Sequence, residues 1–248
     1  MFKEGDYVSR NSYNNDIVFI IIKIENDNYI LKGVNERLVA DAKKEDLKKE
    51  EGAREDFKAK KPNLEEREDY FYMPGKILHI DADMDYLNRC LNYYKEANIW
   101  ATGKCINENE IKYQIKDLII EYNPNIVVIT GHDAYNKNQN SYRNSQNFAD
   151  AIREARKYEK SHEKLIIIAG ACQSDYEELI KAGANFASSP KRINIHALDP
   201  AIIATSISMS DATKEINLKE ILEHTKYGSD GIGGIITKGT MYMGYPRW

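Results

Sequence analysis

Two stretches, Ile126-Val127-Val128-Ile129-Thr130 and Leu165-Ile166-Ile167-Ile168-Ala169, stay apolar over a full strand length without alternation. A strand with one face in water alternates polar and apolar side chains, so a strand that does not alternate is buried on both faces. It must then lie inside a sheet covered above and below. Around these runs the apolar spacing becomes helical. Leu87, Leu91 and Tyr94 mark a helix from Met84 to Ala97, and Ile111, Ile115, Leu118, Ile119 and Tyr122 mark a second that Pro124 ends. Phe148, Ile152 and Ala155 mark a third, from Asn147 to Tyr158, and Glu177 to Lys181 a fourth that stops at Gly183. With Lys76–Ile80 as a first strand, this alternation predicts an α/β domain over 74–248, a mainly parallel sheet with helices on both faces. Ile99–Ala101 and Arg192–His196 read as further strands, Ala201 to Ile207 and Leu218 to Thr225 as helices, and the tail after Gly231 as an edge hairpin.

Residues 1–47 read differently. A β-branched run, Asp16 to Ile24, meets the turn Asn26-Asp27-Asn28 and a return strand, Tyr29 to Gly33. Gly5–Val8 and Arg37–Ala40 supply shorter strands, which together predict a small SH3-like β-barrel. Between the two regions, 19 of the 27 residues from 43 to 69 are charged, with mixed signs. Such a stretch cannot bury a core, so 48–73 is expected to be a linker, and Pro62 interrupts any single helix.

The net charge of −4 gives no whole-chain reason to expect a nucleic-acid partner, and no apolar run approaches the ~20 residues of a bilayer span. The first residues show no signal-peptide core, so a soluble cytosolic product is expected. The three cysteines, Cys90, Cys105 and Cys172, are too few and wrongly spaced for a disulfide framework or a structural zinc site. Cys90 and Cys105 are expected to be small buried hydrophobes.

Cys172 stands apart because of where it falls. In open α/β sheets, ligands bind beyond the carboxyl ends of the strands. Two apolar strands end there in Thr130-Gly131-His132-Asp133 and Ala169-Gly170-Ala171-Cys172-Gln173-Ser174. On neighbouring strands, His132 and Cys172 would project from one rim. An imidazole takes the proton of a thiol or stabilises its thiolate, and the thiolate attacks a carbonyl carbon. The backbone N–H groups of Cys172 and Asp133 are placed to receive the oxyanion.

The order His then Cys, each after an apolar strand and with Ala before Cys, resembles the caspase-like peptidases, including clostripain, gingipain and separase. Those enzymes usually place Gly after the His; here Gly131 precedes it and Asp133 follows. More specifically, Tyr72–Lys76, Thr130–Tyr135, Ala169–Ser174, Ala182–Pro190 and Arg192–Pro200 resemble the YabG family of sporulation peptidases, from the N-terminal strands to the glycine-rich tail. That resemblance implies a caspase-like fold and a cysteine endopeptidase of the mother-cell cytoplasm and spore coat. It would process coat and coat-assembly proteins after Arg, without a cofactor. Arginine preference in caspase-like enzymes draws on a carboxylate at the end of the first sheet strand, which here is Asp81 or Asp83, unless Asp83 or Asp85 only caps the following helix. With no His or third acid fixed nearby in the sequence, these aspartates are not read as a metal site. Arg54 and Arg67, in the charged segment, are candidate self-cleavage points. Two other readings stay open: an amidotransferase-like hydrolase in which Cys172 sits on a nucleophile elbow with His196 as base, although Ser174 replaces the usual second glycine, and a non-catalytic spore-coat scaffold.

Overall fold

The computed structural model describes residues 2–54, 56–59, 68–136 and 141–247. Arg67 and Pro62 lie outside the described residues. The chain divides into two compact units, Met1–Lys58 and Ala59–Trp248.

The first unit is one antiparallel sheet. Its strands are β1 (Tyr7–Arg10), β2 (Phe19–Glu25), β3 (Asn28–Gly33), β4 (Val39–Lys43) and β5 (Leu47–Lys49), in the order β4-β3-β2-β1-β5. Asn26 and Asp27 join β2 to β3 with φ of 44° and 65°, the left-handed pair that a two-residue hairpin needs. Among the described residues β4 and β5 do not pair with each other, so no closed barrel is found and the expected SH3-like barrel is not borne out. β5 is three residues long and pairs antiparallel with β1. Leu47 is buried there, and one apolar side chain is all that marks this strand within the charged stretch.

The second unit carries the α/β sheet. Its elements begin with β6 (Phe71–Met73), β7 (Ile77–Asp81), α1 (Met84–Glu96), β8 (Ala101–Cys105), α2 (Ile111–Tyr122) and β9 (Ile126–Thr130). A two-strand ribbon, β10 (Tyr135–Asn136) and β11 (Ser141–Tyr142), follows, then α3 (Ser145–Tyr158), β12 (Ile166–Ala169), α4 (Tyr176–Ala182) and β13 (Phe186–Ser188). The last are α5 (Asp199–Ser208), α6 (Leu218–Glu223), β14 (Ile232–Gly234) and β15 (Tyr242–Gly244). The main sheet runs β14-β13-β12-β9-β7-β8, with β14 antiparallel and the other five parallel.

Alternate strand residues divide the two faces. Leu78 and Ile80, Val127 and Ile129, and Ile167 and Ala169 pack against Ile115 of α2, Phe148 and Ile152 of α3 and Leu179 of α4 in one buried cluster. Each of the Leu, Ile, Val and Phe side chains here, when fully buried, contributes about 1.5–3 kcal/mol. The other face meets α1 and α5. The chain order reverses between β7 and β9, the switch point beside which α/β sheets bind ligands.

Several expectations are corrected. Arg192–His196 is not a strand: Arg192 takes a φ of 53°, and the segment spends its backbone groups on the Cys172 loop. The first chain segment after α1 pairs over Ala101–Cys105, later than the apolar Ile99–Ala101 suggested. The tail forms no hairpin, because β14 pairs with β13 and β15 pairs with β6. Cys90 is buried as expected, but Cys105 is exposed, since it ends the edge strand β8.

Candidate active site

β9 and β12 are adjacent and parallel, with Ile129 opposite Ala169. His132 and Cys172 each stand three residues beyond that pair, so both leave the same rim of the sheet. Asp133 ties their loops together. Its Oδ1 accepts the N–H groups of Ala134 (2.9 Å) and Asn144 (2.8 Å), and its Oδ2 accepts the hydroxyls of Ser174 (3.1 Å) and Ser145. Burial pushes the Asp133 carboxyl above the usual range against these hydrogen bonds. The Tyr135 N–H donates to Gln173 Oε1 at 3.3 Å and the Asp175 N–H to Ser145 Oγ at 2.8 Å. This is why an aspartate, rather than glycine, follows the histidine: it is the clamp between the two loops. Asp133→Ala is expected to cost on the order of 3 kcal/mol, because it strands several buried donors at once. Urea denaturation measures this, and a loss under ~1 kcal/mol would mean other contacts join the loops.

The His132 ring lies between two carboxylates. Nε2 is 3.5 Å from Asp83 Oδ2 and Nδ1 is 3.8 Å from Glu108 Oε1. Nε2 is buried without a hydrogen-bond partner among the described residues. Glu108 Oε1 also accepts the His132 N–H at 2.8 Å. That contact requires Gly131, where a Cβ would come within 2.6 Å of Glu108 Oε1. Burial raises the Glu108 carboxyl, but the hydrogen bonds from His132 outweigh it and leave the group below the usual range. Sequence reasoning missed Glu108. It sits in Asn107-Glu108-Asn109-Glu110, where nothing local separates it from Glu110; only its place after β8, beside the switch point, does. The Asp133 N–H, named as an oxyanion donor, makes no hydrogen bond among the described residues.

The two aspartates of the β7 end differ. Asp81 is fully buried, with Oδ1 accepting the Asp83 N–H (2.9 Å) and Oδ2 the Thr130 hydroxyl (2.7 Å). Thr130 Oγ1 meets His79 Nε2 at 2.9 Å, and His79 Nδ1 meets the Tyr94 hydroxyl at 2.9 Å, so Asp81 closes an internal polar chain. Asp83 caps α1, its Oδ1 accepting from Asp85 N–H (2.9 Å) and Tyr86 N–H (3.3 Å), while Oδ2 faces His132.

Cys172 is fully buried. Its Sγ accepts the Ile195 N–H at 3.3 Å and lies 3.7 Å from Ile195 O. His196 is also buried, its Nδ1 accepting the Leu198 N–H at 3.2 Å and its own N–H donating to Asp199 Oδ2 at 3.0 Å. Among the described residues no group of three or more His, Cys, Asp or Glu is arranged to hold a metal ion, and no helix is long and apolar enough to cross a membrane.

The sequence matches the family described as YabG peptidase U57 over residues 3–63 and 50–246. It is 41% identical to the sporulation-specific protease YabG of Bacillus subtilis (strain 168) over 284 aligned positions, covering 99% of this chain and 98% of that protein.

Proposed function

Because the chain belongs to the YabG peptidase U57 family, we propose that it is a cysteine endopeptidase of sporulation, in which Cys172 is the nucleophile and His132 its acid–base partner. The observation that carries this reading is the pair of loops, one from each of two adjacent parallel strands, cross-linked by Asp133 at the ligand-binding rim of the sheet. In this mechanism His132 takes the thiol proton and returns it to the leaving amine. Glu108 holds the His132 backbone N–H and lies beside Nδ1 of its ring, so it orients the imidazole. The N–H groups of Asp133 and Cys172 receive the oxyanion. The substrates are proteins, with spore-coat and coat-assembly proteins the proposed class, cut in the mother cell and at the coat.

Asp83 is the proposed arginine-binding acid. Asp81 has both oxygens committed to Asp83 N–H and Thr130, whereas Asp83 Oδ2 lies 3.5 Å from His132 Nε2, beside the proposed base. A guanidinium pairs with a carboxylate through two parallel hydrogen bonds, which favours Arg over Lys. Asp83→Asn keeps the helix cap and removes the charge. It is expected to lower kcat/KM for peptides cleaved after Arg about 10- to 100-fold, the range of a charged hydrogen bond of ~1.5–3 kcal/mol. Peptides with Gln in place of Arg serve as control. A fall equal for both would show that Asp83 acts on His132 instead of on the substrate.

The amidotransferase-like reading with Cys172 and His196 keeps one observation in its favour: the thiol contacts the backbone of Ile195, next to His196. Against it, the His196 Nδ1 is already engaged inside the protein.

A further inference from the structure

A nucleophile must be reached, yet Cys172 has no exposed surface. What covers it is identifiable. The segment Ser189–Ile195 crosses the Cys172 loop as a strap. The Gln173 N–H donates to both Ile193 O and Ser189 Oγ at 3.0 Å, and Gln173 Nε2 donates to Asn194 Oδ1 at 3.1 Å. The Ile195 N–H then reaches the thiol itself.

Beyond the strap's own hydrogen bonds, one side chain anchors it to the His132 side of the site. The Arg192 guanidinium carbon lies 5.1 Å from the ring centre of Tyr135 and 5.9 Å from that of Tyr142, and the two rings stand 5.0 Å apart. These distances are within cation–π range. The rings belong to the ribbon that begins three residues after His132. Arg192 itself is exposed and forms no ion pair among the described residues, so aromatic faces are what hold this cation. The Tyr142 hydroxyl is buried without a partner among the described residues; burial first, then the Asp175 carboxylate, push it above its usual range, and the Arg192 cation opposes them. Beside the rings is a cavity of about 390 Å³, lined by Ala134, Tyr135, Asn136, Ser141, Tyr142 and Arg143. Two tyrosine faces with nearby acids make a receptor for a guanidinium or ammonium, and the chain's own Arg192 fills it.

We propose that Tyr135 and Tyr142 form a cation subsite for a basic side chain of the polypeptide substrate, that Arg192 occupies it in the resting protein, and that displacing Arg192 releases the strap from Cys172. The proposal rests on Cys172 being the nucleophile, and it adds a second basic-residue contact, separate from that of Asp83.

The test reads the thiol directly and needs no cleavage. The full chain is treated with iodoacetamide, and modification of Cys172 and Cys105 is followed separately by peptide mass mapping. Arg192→Gln and Tyr142→Leu are each expected to speed Cys172 modification about five-fold, the size one exposed cation–π contact supports. Cys105, exposed at the end of β8, serves as the internal standard with an unchanged rate. Arg192→Lys keeps the cation and the same backbone demand, so it should behave as the wild type; a fast Arg192→Lys would mean that the shape of the guanidinium, and not its charge, holds the strap, and overturns the cation subsite. Adding N-acetylarginine methylamide should speed modification in the wild type and in Asp83→Asn, but not in Tyr142→Leu, and the glutamine analogue should do nothing. Equal Cys172 rates in all variants, or no response to the arginine amide, overturns the proposal. If instead the rates shift as expected while Cys172→Ala still cleaves peptides, the subsite stands and the nucleophile assignment fails.

Discussion

Cys172→Ala is expected to abolish cleavage of Arg-containing peptides, a loss on the order of 10⁴-fold or more, as when the nucleophile of a catalytic set is removed. The fold should survive. Cys172 sits in a loop just beyond β12, and the change removes one sulfur and its contacts with the Ile195 backbone. The cost is about 1 kcal/mol, that of one small cavity and one weak hydrogen bond. Hydrolysis of a quenched fluorescent peptide gives the rate, and thermal unfolding confirms the fold. An alanine variant that keeps a tenth of the activity would rule out a cysteine nucleophile. The result also decides between peptidase and scaffold, because a scaffold predicts no cleavage by the wild type either.

His132→Ala is the second large effect. Removing a positioned acid–base group costs about 10²–10⁴-fold in rate. The loss should fall on kcat, with KM little changed, because His132 takes part in proton transfer and not in holding the arginine. His196→Ala is the informative comparison. It deletes the acceptor of the Leu198 N–H inside the protein, so it should lower stability more than it lowers kcat per folded molecule. If His196→Ala instead gave the larger kcat loss at full folding, the Cys172/His196 pair would be the working one.

The sequence by itself determined the class of fold and the two strand ends where the proposed pair stands. Ile126–Thr130 and Leu165–Ala169 have no polar face, which leaves only a doubly covered sheet, and that sheet is present with the two strands adjacent. The helices α1 and α3 were legible because apolar residues recur at helical spacing on one side of each. That His132 and Cys172 stand at equivalent positions beyond these strands was legible because each follows an unbroken apolar run.

What the sequence left open depends on partners distant in the chain. Arg192–Ile195 alternates like a strand, but a strand needs a neighbour with free backbone groups, and the nearest acceptors and donors are in the Cys172 loop. Asp81 and Asp83 look alike in Asp81-Ala82-Asp83. Tertiary contacts alone give Asp81 to Thr130, 49 residues away, and turn Asp83 toward His132. Glu108 carries no local mark, and it matters because β8 lies beside β7 and Gly131 leaves room for it. Periodicity reports which face of an element is buried; it carries no information about which loop meets which. Those meetings, between Asp133 and Ser174 and between Arg192 and the two tyrosines, were decided by the sheet order and the packing around it.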